Sequence, residues 1–194
     1  MADEKISELS ALTTPDDADV LPIVDHSGPE TKKITWANIV VAINALIDAR
    51  PVGFLSQCRA YLSGSDQSVS ADGNYHQVLL NAETYDTDSE FDPTTNHRFT
   101  ANDAGYYLVV LQVTWNNPNQ GSMYRVQIRV NGSSVSEDFN APAASGGYLA
   151  LTLSDIIHLS ASDQIEIWVR NLSSGSTSVF AGSTFTFLAI HRIS

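Results

Sequence analysis

Asp86, Asp88, Glu90 and Asp92 alternate along one short stretch, and carboxylates are the side chains that hold hard cations. In an extended loop the four could converge on a calcium ion. The loop lacks the central glycine and the distal glutamate of an EF-hand, so the competing reading is a solvated acidic loop. Five histidines, His26, His76, His97, His158 and His191, fall at no zinc-binding spacing. The single cysteine, Cys58, sits in an expected strand, so neither an intrachain disulfide nor a cysteine metal cluster can form. No nucleophile elbow, phosphate-binding loop or dinucleotide fingerprint occurs. The expectation is a chain without enzymatic activity and without a cofactor, calcium being the one candidate.

Composition narrows the partners. The 194 residues carry a net charge of −12 and are 43% hydrophobic and 16% charged, which describes a globular chain. Phosphate neutralisation needs lysine and arginine, so duplex nucleic acid and anionic membrane surfaces are poor partners. Beyond position 50 every basic residue is an arginine. The N-terminal stretch MADEKISELS has neither the basic nor the apolar region of a secretory signal, and no apolar run reaches membrane-span length. The chain is therefore expected to fold in a cytosol.

The elements that must carry any site come next. Val20–Val24 and Lys32–Thr35 read as short strands able to pair as a hairpin, and Thr35 as the N-cap of a helix over 36–49 that stops before Pro51. Trp36, Val40, Ile43 and Ile47 recur at heptad-like spacing, and Ile39 and Leu46 widen the stripe. So apolar a helix needs a partner: the domain behind it, sister helices, or a larger assembly. Residues 51–57 read as a linker. From there the pattern is short strands separated by turns: Cys58–Leu62, Tyr75–Leu80, Tyr106–Trp115, Tyr124–Val130, Leu149–Leu153, Ile156–Leu159, Ile165–Val169 and Thr184–His191. Between them lie turns such as Ser70–Asn74 and Asn131-Gly132. Eight to ten strands over 140 residues give a mainly β, antiparallel sandwich or jelly roll.

The strand at 106–115 is apolar on both faces. Tyr107, Val109, Leu111, Val113 and Trp115 share one, while Tyr106, Leu108, Val110, Gln112 and Thr114 share the other. An antiparallel strand in a lone sandwich usually wets one face, so the second face is expected to be covered by another copy of the chain. Trp168, pointing outward from its strand, reads as a surface aromatic or a subunit contact. The loops 116–122, 140–147 and 173–178 are rich in Asn, Ser and Gly, the makeup of adaptable binding surfaces and equally of ordinary turns.

Residues 58–193 resemble the globular head of the complement C1q and tumour necrosis factor superfamily. The resemblance rests on four blocks in order: CRAYLSGSDQSV; YHQVLLNAETYDTDSEFDPTTNHRFTANDAGYYLVVLQV; LTLSDIIHLSASDQIEIWV; and STFTFLAIHRI. It implies a ten-stranded jelly roll that forms a tight trimer, with Tyr106, Leu108, Val110, Trp168, Phe185 and Phe187 at the interface. Residues 5–47 are similar to an N-terminal module of bacteriophage tail fibres and capsid decoration proteins. That likeness implies a docking and trimerising segment over residues 1–50, with Trp36, Ile39, Val40, Ile43, Leu46 and Ile47 on its helix. Together they imply a homotrimeric capsid decoration protein on the virion exterior, made in the host cytoplasm, or alternatively a tail-fibre knob that recognises a host surface glycan. The expected partners are the chain itself, phage capsid or tail proteins, and that glycan.

Overall fold

The computed structural model describes residues 20–24, 31–35, 39–42 and 55–193, and the chain divides into two compact units, Met1–Gly53 and Phe54–Ser194. In the first, β1 (Val20–Val24) and β2 (Thr31–Thr35) pair antiparallel, with Val20 opposite Thr35 and Val24 opposite Thr31. Residues 39–42 are helical. Ile39 and Val40 are half-buried there, and Val41 is exposed. Trp36, Ile43, Leu46 and Ile47 lie outside the described residues.

The second unit is built of β3 (Gln57–Tyr61), β4 (Gln67–Val69), β5 (Tyr75–Gln77), β6 (Ala82–Asp86), β7 (Phe91–Asp92), β8 (Arg98–Thr100), β9 (Gly105–Asn116), β10 (Tyr124–Val130), β11 (Ser133–Asn140), β12 (Tyr148–Leu159), β13 (Gln164–Asn171), β14 (Thr177–Val179) and β15 (Phe187–Arg192). They form two sheets. The first runs β4-β14-β9-β15-β3-β6, with β12 along the whole of the remaining edge of β9. The second runs β11-β10-β13-β8-β7, with β5 beside β13. This is a jelly-roll sandwich.

Period-two alternation makes the core. From β9, Tyr107, Val109, Leu111, Val113 and Trp115 are all fully buried, facing Val126 and Ile128 of β10 and Ile165, Ile167 and Val169 of β13. The rings of Trp115 and Tyr124 meet at 4.8 Å, and Phe99 meets Tyr107 edge-on at 5.8 Å. Asn131 (φ 51°) and Gly132 (φ 79°) are both left-handed, the type I′ geometry whose twist suits the two-residue link between β10 and β11.

Several expected strands need correction: that over 75–80 ends at Gln77. Residues 149–153 and 156–159 belong to one strand, β12, in register with β9 from Tyr148↔Asn116 to Leu159↔Gly105. The polar Ser154-Asp155 step does not break it, because the Asp155 carboxylate accepts the Ser136 hydroxyl from β11. Thr184, Phe185 and Thr186 are turn, not strand: the amides of Phe185 and Thr186 donate to the Gly182 carbonyl at 3.0 and 3.1 Å. A Cβ at Gly182, where φ is +134°, would lie 2.8 Å from the Phe185 ring.

Because β9 carries the core, truncating its centre is costly. Leu111→Ala is expected to lower stability by about 2–5 kcal/mol in urea unfolding, whereas Thr152→Ala on the exposed row of β12 changes it by less than about 0.5 kcal/mol. Equal effects would contradict this packing.

Candidate functional site

Strand β9 that fills the core inward presents Tyr106 (50% exposed), Leu108 (37%) and Val110 outward. Register extends this face sideways. His158 and Ile156 of β12 stand opposite Tyr106 and Leu108, and Ala189 and His191 of β15 stand on the other side. The His158 ring meets Tyr106 edge-on at 5.0 Å, and Ile156 is 57% exposed. Phe187 continues the outer row of β15 beneath the Arg59 guanidinium, 4.4 Å from its ring centroid. Phe185 ends the face in a cluster with Tyr148 and Phe180. Two shallow grooves cross it, of about 210 Å³ beside Tyr85, Leu108 and His191, and about 160 Å³ between Gln112, Thr152 and Phe187. Both are smaller than an ordinary small-molecule site.

Five of the six residues expected at an interface thus lie on or at the end of one face. The sixth, Trp168, does not: it sits on the outer side of the opposite sheet, with its indole N–H donating to Glu166 at 3.0 Å. Ile156 and His158 already share a row in the 156–159 pattern, but that this row borders Tyr106 and Leu108 is set by the register of β12 on β9.

The acidic quartet does not assemble a cation site. Asp86 accepts the Phe91 amide at 2.8 Å. Asp92 accepts the amides of Thr94, Thr95 and Asn96, each at 3.0 Å, and these hold its carboxyl well below the usual range. Glu90 turns inward, 5% exposed, and accepts the Ser56 hydroxyl and, at 2.7 Å, the Asn102 amide. Asp86 and Asp92 serve their own backbone turns and Glu90 bridges distant segments, so spacing alone does not make the four converge. Among the described residues no three acidic, histidine or cysteine side chains come together in a metal-holding group. Of the histidines, His76 contacts Asp72 at 3.0 Å and His97 the Leu80 carbonyl at 2.9 Å. Burial, with Asp86, Glu83 and Glu90 nearby, pushes the Cys58 thiol up, the opposite of an activated nucleophile.

The polar loops do meet. The Asn117 amide donates to the Gly147 carbonyl at 2.8 Å, Gly146 to Pro118 at 3.0 Å and Gly121 to Pro142 at 3.1 Å. Ser68, Asn116, Asn117 and Ser176–Ser178 line an open polar groove of about 330 Å³ near this end.

No family model and no curated protein matches the chain. Solved structures do. Eiger TNF from S. frugiperda is 12% identical, with a TM-score of 0.58 over 72% of this chain and 93% of that one. Murine APRIL is 15% identical, with a TM-score of 0.54 over 72% and 99%. The globular domain of zebrafish complement 1qA protein is 15% identical, with a TM-score of 0.51 over 72% and 98%. The head is a C1q/TNF-like jelly roll. At these identities the C1q/TNF-like likeness is one of fold.

Within this C1q/TNF-like head, Glu90 makes stability depend on pH. Burial raises its native pKa, against the pull of the Asn102 amide and the Ser56 hydroxyl. The folded chain therefore holds this proton more tightly than the unfolded one. The resulting stabilisation is present below the ordinary glutamate range and is lost as pH rises through the raised value. Glu90→Gln keeps an acceptor for Asn102 and cannot ionise. Between about pH 4 and about pH 7, its melting temperature should rise relative to the unmutated chain. A pH-independent difference would contradict the assignment.

Proposed function

We propose that the chain is a homotrimeric structural component of a bacteriophage virion, a capsid decoration protein anchored by residues 1–50 with the jelly-roll head projecting outward. The apolar outer face of β9, β12 and β15 carries this reading. Leaving Tyr106, Leu108, Ile156 and Phe187 wet forgoes about 25 cal/mol for each Å² of apolar surface. The face is a shallow sheet surface rather than a ligand cavity, so its natural cover is the same face of another copy. C1q/TNF-like architecture is compatible with that arrangement. The sequence over residues 5–47 is similar to a phage docking module, and that likeness supports the anchor. Three anchors on one trimer raise the effective concentration at the particle, so weak single contacts give durable attachment.

A second reading, a tail-fibre knob that recognises a host surface glycan, is favoured by the laced loops and the polar groove beside Asn116 and Ser178. The two part in a binding experiment. A decoration protein adds to purified capsids in fixed copy number and stays there through sedimentation, whereas a receptor binder attaches to host cells unaided.

On capsids of the phage that encodes it, the full chain is expected to co-sediment in saturating copies, and Leu108→Asp to attach at least about 100-fold more weakly. That change places like charges together at the three-fold contact and removes the multivalency. Attachment of Leu108→Asp as tightly as the unmutated chain would overturn the role of the trimer.

A further inference from the structure

We propose that the outer face of the second sheet, on the side opposite the self-association surface, binds an acidic glycan, a saccharide chain bearing carboxylates on successive rings. Three of the six arginines beyond position 50 gather there, although that part of the chain carries thirteen Asp and Glu. Arg125 of β10 stands directly opposite Arg170 of β13, and Arg129 follows on the same row of β10. Like charges directly opposed across an antiparallel pair destabilise a sheet. Glu137 offsets the charge of Arg125 but not that of Arg170, so the row keeps an excess of positive charge that points to a use.

Arg125 is paired with Glu137, whereas Arg170 and Arg129, the latter facing Glu166 across the strands, are held without an ion pair. The Tyr75 ring lies across the strands, with Arg129 at 4.9 Å and Arg170 at 5.4 Å from its centroid. Arg129 also covers Trp168 at 4.4 Å, and Arg125 covers Phe139 at 5.3 Å. Two carboxylates share the face. Glu137 accepts Arg125 at 2.9 Å and the Tyr75 hydroxyl at 2.6 Å, and Glu166 accepts the Trp168 indole N–H. Neither forms an ion pair with Arg129 or Arg170, and among the described residues no other carboxylate does. Arg129 spends one N–H on the Gln127 side chain. The terminal nitrogens of both guanidinium groups thus remain for an outside acceptor, on side chains already oriented by stacking, which lowers the ordering cost of binding.

The ligand class follows from what surrounds these forks. Planar guanidinium groups match carboxylates bidentately. Phe139, more than half exposed, and the rims of Tyr75 and Trp168 offer aromatic surface to the C–H faces of a pyranose. Nucleic acid would need a longer run of cations than this acidic head presents. The site lies away from the apolar face, so it stands whether or not the trimer forms.

Titration calorimetry of the full chain in low salt with an oligogalacturonate tests this. Binding is expected, weakening as salt rises, with no heat from a neutral maltooligosaccharide. Arg129→Gln/Arg170→Gln should weaken it about tenfold or more. Arg192→Gln, which removes one charge from the other sheet, should move it less than about twofold. Arg129→Lys/Arg170→Lys keeps the charge and loses the fork and the stacking. It should lie between these, with an unchanged melting temperature showing that the fold is intact. Absence of binding, equal loss in Arg192→Gln, or equally tight binding of polyglutamate would each overturn the assignment.

Discussion

Everything in the second unit depends on one strand having two apolar faces. β9 is the longest contact line of the sandwich, flanked by β12 over its full length and by β14 and β15 on the other edge. Its inward row locks the two sheets together through five side chains with no solvent exposure. Its outward row cannot be satisfied by the same fold, because the sandwich has only one interior. Hydrophobic burial is non-directional and scales with area, so the constraint passes from folding to assembly. An exposed apolar surface like this points to another surface of the same kind.

The acidic residues do structural work that spacing does not reveal. Asp66 accepts Asn116, Ser178 and the Ala181 amide, tying together segments more than a hundred residues apart. Asp92 closes its turn, and Glu90 fastens the segment before β3 to the segment before β9. A carboxylate engaged by backbone amides has fewer lone pairs to offer a cation. Part of the chain's acidity thus goes into tying loops together, while three of the six arginines beyond position 50 collect on one flank.

Much of this was legible in the sequence. Alternation of Tyr107, Val109, Leu111, Val113 and Trp115 against Tyr106, Leu108 and Val110 predicts both rows of β9, because period two is a direct consequence of the pleat. β1, β2 and β10 follow from β-branched runs between turn residues. What escaped was set by long-range pairing. β11, Ser133–Asn140, is polar and edge-lying, so it has no apolar period to detect. β12 continues through Asp155 only because Ser136 and β9 meet it. Trp168 is outward in the strand pattern, but whether it borders Leu108 or Arg129 depends on which sheet receives β13. The facing of Arg125 and Arg170 is a matter of register and is invisible one strand at a time.

The central claim is that a second copy of the chain covers the outer face of β9. Light scattering coupled to size-exclusion chromatography of the full chain at micromolar concentration tests it most directly. The account predicts a single species of three times the 21.0 kDa chain mass. A single-chain mass at that concentration would contradict it, and would leave Tyr106, Leu108 and Val110 without an explanation.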